Sequence, residues 1–227
     1  MSPKLIHAAA VLAVTAAALA PLSARAQAIF SPIAVPVNTA GDFDASADIG
    51  QTIDQSGLFT GFASGVTNFD SYIASNPLHD QGFSGREWFS AGGVTTGTIV
   101  YDLGAGAGFD RLALWNEDSI GIATMTVDAS NDLSFSVGVT SFGVFAPTNN
   151  PEGANYPAQV FALAPTSARY VRLQVQAPVG AAFVSMGEIA FRSAAVVAVP
   201  EAGTLALALP ALAMVGTIVI RRRKGAK

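Results

Sequence analysis

The segment Arg169-Tyr-Val-Arg-Leu-Gln-Val-Gln176 alternates without a break between polar or amphipathic side chains and apolar ones. Tyr170, Arg172, Gln174 and Gln176 fall on one side, and Val171, Leu173 and Val175 on the other. Successive side chains of a strand point to opposite faces, so this pattern demands a strand with one face buried and one in water. Stretches 98–103, 109–115, 122–128, 159–163 and 183–191 are also rich in β-branched and aromatic residues. Clusters of Gly, Asn, Asp, Pro and Ser separate them at the spacing of a two-sheet sandwich. No long amphipathic helix pattern interrupts them. The predicted fold class is all-β, with Tyr101, Leu103, Leu112, Leu114, Val171, Leu173, Val175, Ile189 and Phe191 in the core. Gly104-Ala-Gly-Ala-Gly108 lacks the G-x-G-x-x-G spacing of a dinucleotide site, and no helix pattern follows it, so it reads as a turn between strands.

The two ends are of another kind. Lys4 and His7 precede an apolar run over 8–22, and Ala24-Arg25-Ala26 and Ala26-Gln27-Ala28 are both small-x-small cleavage sites. Residues 1–28 therefore read as a secretory signal peptide. At the other end, Val199-Pro200-Glu201-Ala202-Gly203-Thr204 leads into an apolar stretch over 202–220 and then Arg221-Arg222-Arg223-Lys224. A bilayer core needs about 20 apolar residues, and this stretch is near the short end of that range. Positive charge beside a span stays on the cytoplasmic side. This tail resembles the PEP-CTERM sorting signal of Gram-negative bacteria, with Ala202 where the family most often has proline. The resemblance implies recognition by an exosortase and cleavage near Pro200-Glu201. It also implies transient inner-membrane insertion of the C-terminal helix, then release to the cell surface or an exopolysaccharide matrix. The plainer alternative is a C-terminal membrane anchor. Between the ends lie an N-terminal arm over 29–57, polar and weakly patterned with one strand near 29–37, and a sandwich domain over 58–195. The sorting signal occupies 196–227.

Residues 29–199 carry five arginines and no lysine against eleven aspartates and four glutamates, a net charge of −10. An acidic domain without basic patches argues against nucleic acid and anionic lipid as partners. It suits neutral glycans or cations. The chain has no cysteine, so disulfides and thiolate metal sites are absent despite an oxidising destination.

The order of segments brings a second resemblance. Tyr101-Asp-Leu-Gly104, Phe109-Asp-Arg-Leu-Ala-Leu-Trp-Asn116, Val127-Asp-Ala-Ser-Asn-Asp132, Ala168-Arg-Tyr-Val-Arg-Leu173 and Gly187-Glu-Ile-Ala-Phe191 follow one another in register. They resemble the landmarks of the discoidin, or coagulation-factor 5/8 C-terminal, type of galactose-binding-like domain. The resemblance implies a jelly-roll sandwich of about eight strands with its termini close together. The loop that often holds structural calcium in that family and borders its ligand face is present only in a distorted form, over Asp80-Gln-Gly-Phe-Ser-Gly-Arg-Glu-Trp88. No cofactor is expected, and a structural calcium ion is the one metal for which the residues leave room. Asp42-Phe-Asp-Ala-Ser-Ala-Asp48 has Ala47 in place of the EF-hand glycine and Ile53 in place of its glutamate, which leaves only a looser oxygen-ligand site. Arg169 and Arg172 need partners if buried. Glu188 is expected to pair with one of them.

Catalysis is not expected. His79 is the single histidine between the ends, no nucleophile elbow is present, and one histidine makes a zinc site improbable. Glu87 with Asp80, or Glu117 with Asp118, supply carboxylate pairs of the kind that hydrolyse glycosides. Such pairs are common on any acidic surface. Glycan recognition combines an aromatic platform with charged and amide groups, because a sugar has an apolar face and many hydroxyls. His79, Asp80, Arg86 and Trp88 offer that combination, as do Trp115, Asn116 and Glu117. The 148–156 loop is a further candidate. Both tryptophans have an alternative reading as core. Exposed tryptophan would favour carbohydrate binding, whereas two buried tryptophans and a smooth polar loop face would favour a structural matrix or adhesion role.

Overall fold

A computed structural model describes residues 27–83, 85–117 and 120–194. The expected signal peptide over 1–28, except its last two residues, the expected sorting signal over 196–227 and Asp118 lie outside the described residues. Among those described, no helix is long and apolar enough to cross a membrane.

The chain folds as an all-β jelly-roll sandwich. One sheet holds β1 (Ile29–Phe30), β13 (Glu188–Ser193), β6 (Gly108–Trp115) and β10 (Gln159–Ser167), in that order. The other holds β2 (Ala34–Asn38), β5 (Thr96–Asp102), β11 (Tyr170–Gln176), β7 (Thr124–Ser130) and β8 (Thr140–Phe145). Two short ribbons pair β12 (Ser185–Met186) with β4 (Trp88–Phe89), and β3 (Leu78–His79) with β9 (Tyr156–Pro157). The expected 183–191 strand is broken at Gly187. A Cβ there would lie 2.6 Å from the Tyr156 hydroxyl and 2.7 Å from the His79 ring. The single strand expected near 29–37 is two, one in each sheet.

All nine core residues expected from the sequence are 5% exposed or less. Tyr101, Leu114, Val127, Leu173, Ile189 and Phe191 meet between the sheets. The Tyr101 hydroxyl lies 3.2 Å from Thr52 Oγ1. Gly104 and Gly106 form the expected turn with φ of +85° and +69°, a region that costs glycine little.

The two sheets differ in their outer faces. Ala113 and Trp115 of β6 and Ala190 of β13 point away from the other sheet and are covered by Phe62, Phe69 and Tyr72. Phe69 and Tyr72 sit on the short helix Phe69–Ala74, whose N-cap Asn68 accepts from the Ser71 N–H. The alanines let this layer approach closely. The outer face of the five-stranded sheet is covered only in part: Val100, Asp128 and Ser130 are buried on it and Arg172 stacks on Phe135, whereas toward the other end of β11 Gln174 and Gln176 are exposed, across from buried Val171, Leu173 and Val175.

The arginines on this side find aspartates. Arg169 binds Asp102 through Nε and Nη2 at 3.1 and 2.8 Å, and Arg172 binds Asp128 through Nη2 at 2.7 Å. The expected pairing with Glu188 does not form. Glu188 stands opposite Trp115 on the four-stranded sheet, whereas both arginines flank the five-stranded one. Instead, Glu188 Oε2 accepts from the Gln55 N–H at 2.8 Å.

The ends of the described chain meet. Ser193 donates its N–H to the Ala28 carbonyl at 2.8 Å, and Ala28 donates to Ser193 Oγ at 2.8 Å. They close at the pole of the Gly104–Gly108 turn, where the Ala194 N–H bonds the Gly108 carbonyl.

Leu173 and Gln174 are sequence neighbours on opposite faces, which gives a direct check. Leu173→Ala is expected to cost about 2–5 kcal/mol in denaturant unfolding, and Gln174→Ala less than about 0.5 kcal/mol. Similar losses at both sites would contradict the one-sided burial at this end of the sheet.

Candidate functional site

The two tryptophans are fully buried. Trp88 donates its indole N–H to the Gly41 carbonyl at 3.1 Å and Asp42 Oδ1 at 3.0 Å. Trp115 donates to the Pro77 carbonyl at 2.9 Å. Each tryptophan therefore anchors a loop from beneath and presents no ring to a ligand. Asn116 is buried as well. Its amide group donates to the Ile122 carbonyl and Asn149 Oδ1 and accepts from the Ile122 N–H, stapling the 148–150 loop. Glu117 accepts from Ser185 Oγ at 2.8 Å.

The loop over 80–88 is built differently. At its root, His79 stacks on Tyr156, with ring centroids 5.1 Å apart, and its Nδ1 lies 2.6 Å from the Asp80 carbonyl. Burial lowers the His79 pKa to about 4, so the ring is neutral at pH 7 and Nδ1 carries the proton it donates. At the other root, buried Glu87 accepts from the Tyr156 hydroxyl at 2.5 Å. Asp80 and Arg86 form an ion pair across the neck. Asp80 Oδ1 also caps the turn by accepting from the Gly82 N–H at 2.9 Å. These four residues hold the loop so that Phe83, between them in sequence, stands out.

Phe83 does not stand alone. Its ring centroid lies 5.4 Å from Phe43, which lies 5.3 Å from Phe183. Phe89 closes the circuit, 4.7 Å from Phe83 and 6.5 Å from Phe183. The interplanar angle is 83° between Phe43 and Phe83, and 79° between Phe43 and Phe183. Edge-to-face contact of this kind suits the ring quadrupole. Phe89 is buried at the base. Phe43 is 44% exposed and Phe83 39%. Three separated segments supply the upper rings, and backbone bonds hold them in place: Phe43 N–H to the Phe89 carbonyl at 2.8 Å, and Gly93 N–H to the Ala182 carbonyl at 3.1 Å. The loop face is not smooth and polar; it carries a clustered aromatic patch beside an ion pair. Contiguous exposed apolar surface on a monomer commonly marks a binding site.

The candidates from the sequence thus fall into two groups. His79, Asp80 and Arg86 come together around the patch as supports. Trp88, Trp115, Asn116 and Glu117 lie in the interior. Phe43, Phe83 and Phe183 were not singled out from the sequence. Their one signal is that Phe43 and Phe83 stand among Asp, Gly, Ser and Gln, outside any alternating run.

Among the described residues, no group of three or more His, Cys, Asp or Glu side chains is placed to hold a metal ion. The carboxylates of the 42–48 loop serve as turn acceptors, Asp42 from the Ile49 N–H, Asp44 from Ser46 and Asp48 from the Gly50 N–H.

No protein-family model and no curated protein matches the sequence. Several solved structures are similar in shape. The C-terminal domain of a chitobiase from Bacteroides fragilis gives a TM-score of 0.49 at 16% identity, over 74% of this chain and 99% of that one. Chitosan-binding module 1 of a chitosanase/glucanase from Paenibacillus sp. IK-5 gives 0.43 at 16%, over 74% and 96%. A family 32 carbohydrate-binding module from Clostridium perfringens, in complex with galactose, gives 0.44 at 12%, over 69% and 91%. At these TM-scores and identities the likeness carries no functional inference.

Two buried groups make the fold sensitive to pH in opposite directions. His79 titrates from its ordinary 6.5 down to about 4 in the fold, so its contribution is lost as pH falls through that window, by at most about 3 kcal/mol. Burial raises Glu188 well above 4.5, so its contribution is lost as pH rises past 4.5. Glu188→Gln keeps an oxygen for the Gln55 N–H and removes the buried acid. It is expected to raise the melting temperature at pH 8 and leave it nearly unchanged at pH 4. An equal shift at both values would refute the assignment.

Proposed function

We propose that this protein is a non-catalytic carbohydrate-binding module that meets its ligand on the aromatic patch of Phe43, Phe83 and Phe183. The observation that carries this reading is the convergence of three phenylalanines from three loops at an exposed end of an acidic sandwich. Ring faces are electron-rich and the C–H faces of a sugar are not, so the two stack. The Asp80–Arg86 pair at the rim offers charge-assisted hydrogen bonds to sugar hydroxyls. The net charge of residues 29–199 disfavours an anionic polymer as the ligand. Glu87 and Glu117 are enclosed side chains, buried away from the patch surface, which favours binding over hydrolysis.

We propose further that the protein is exported through its signal peptide, processed by an exosortase and released to the cell surface or the exopolysaccharide matrix. The support is the order of motif, apolar stretch and arginine cluster over 199–224. Mass spectrometry of the secreted form is expected to find a C-terminus near residue 200. Recovery of an intact chain ending at Lys227 would favour a simple anchor.

The binding test is calorimetric titration of the full chain, in a zwitterionic detergent, against a panel of neutral and acidic bacterial and plant polysaccharides, with and without a chelator. Indole fluorescence is a poor reporter, because both tryptophans are buried. Phe43→Ala and Phe83→Ala are each expected to weaken binding to a neutral polysaccharide about tenfold, a loss of about 1.4 kcal/mol. Both side chains are partly exposed, and melting curves measured alongside establish that the variants fold. Undiminished binding by the double variant would remove the patch from the function. No binding by the folded chain across the panel would move the assignment to a structural matrix or adhesion protein.

A further inference from the structure

The open part of the outer face of the five-stranded sheet, at the end holding Gln174 and Gln176, carries a groove of about 490 Å³. Its floor comes from outward-pointing residues in the strand register. Gln176 of β11 lies between Thr96 of β5 and Thr124 of β7, and Gln174 lies between Thr98 and Thr126. Two cross-strand rows of hydroxyls and amides result, with neighbouring strands about 4.8 Å apart. Thr39 and Val144 flank them.

The chemistry of this lining is selective. Residues 29–199 contain fifteen carboxylates and five arginines, yet no charged side chain lines the groove. The nearest charged pair along β11, Arg172 with Asp128, is internally neutralised. An ionic ligand finds no countercharge there, and a wholly apolar ligand would strip water from hydroxyls and amides without replacing their hydrogen bonds. An uncharged polyhydroxylated chain does replace them. A glutamine amide both donates and accepts, and so does a threonine hydroxyl, which matches the dual character of sugar hydroxyls.

The groove also lies at the pole of the aromatic patch. Thr39 precedes Ala40, whose carbonyl accepts from the Ala91 N–H, and the same loop continues to Phe43. Thr96 follows the 91–95 loop, in which Gly93 bonds Ala182 beside Phe183. The loops that carry the patch run directly into the strands that floor the groove.

We infer that the open sheet face is a second subsite, which takes an uncharged polysaccharide chain laid along it, so that the module reads the body of a polymer and not a terminal sugar. The inference rests on the carbohydrate reading above for its ligand class, and on the sheet register and the groove lining for its place. Gln174 and Thr126 are surface residues outside the core, and their removal leaves the aromatic patch intact.

The test is calorimetry on the full chain with cello-, manno- and β-1,4-galacto-oligosaccharides of two and six residues. Hexamers are expected to bind about tenfold more tightly than dimers of the same series. The double variant Gln174→Ala/Thr126→Ala is expected to erase that difference and leave dimer affinity unchanged. Thr98→Glu, which places a carboxylate in the groove, is expected to do the same, and melting curves establish that both variants fold. Phe43→Ala is expected to weaken dimer and hexamer alike. Equal affinity for dimer and hexamer, or a hexamer preference that survives both groove variants, overturns the second subsite and leaves the aromatic patch standing. A hexamer preference abolished by the groove variants but indifferent to Phe43→Ala supports the groove and overturns the patch. No binding of either length in any series overturns both.

Discussion

Unequal burial of the two sheets governs this molecule. The four-stranded sheet is packed on both faces, by the other sheet and by the layer that includes the helix Phe69–Ala74. The five-stranded sheet is packed on one face and on part of the other, where Val100, Asp128 and Ser130 are buried and Arg172 packs on Phe135. A sheet closed on both sides has nothing to offer a ligand except its ends. A sheet open over part of one side must solvate that part, and it does so with threonine and glutamine, while the rest of the same face carries the Arg172–Asp128 and Arg169–Asp102 pairs. The two surfaces proposed to bind are the loops at one pole and the open part of this face.

Polar groups buried inside the domain serve the loops. His79 and Glu87 both pack against Tyr156, with His79 Nδ1 3.9 Å from Glu87 Oε1, and each secures one root of the 80–88 segment. Asp42 does the same for Trp88, and Asn116 for the 148–150 loop. Buried polar atoms are expensive unless bonded, so such contacts specify one loop arrangement more than they add stability. Preorganised loops reduce the ordering cost of binding. Surface ion pairs such as Asp80–Arg86 contribute at most about 1 kcal/mol, so the neck of the loop depends more on its buried roots.

The strands with a simple pattern were legible. β11 alternates in sequence and in burial, and β5, β6 and β7 begin within two residues of their expected starts. The nine expected core residues follow from the same periodicity. β8 was not seen, because an edge strand with mostly exposed side chains has little apolar pattern to read. The helix Phe69–Ala74 is too short to show a 3.6-residue period. β1 and β2 read as one strand near 29–37, because nothing in that apolar run signals that the chain crosses from one sheet to the other between Phe30 and Ala34. The tryptophans mislead for a physical reason: an indole is apolar enough for the core and polar enough for a loop, and only the position of an acceptor decides. The aromatic patch is nonlocal. Its rings come from positions 43, 83, 89 and 183, and no window of sequence contains two of the three that reach the surface.

The closure of β1 on β13 has a mechanical meaning. β13 begins at Glu188, beside Trp115 at the pole of the aromatic patch, and ends at Ser193 beside the Gly104–Gly108 turn at the opposite pole. A pull on the chain beyond residue 194, resisted at the far pole, acts along the axis of a strand bonded on both sides. Inter-strand hydrogen bonds run perpendicular to the strands, so such a load shears the ladder as a whole instead of opening it rung by rung. The domain is connected to withstand tension between its two poles.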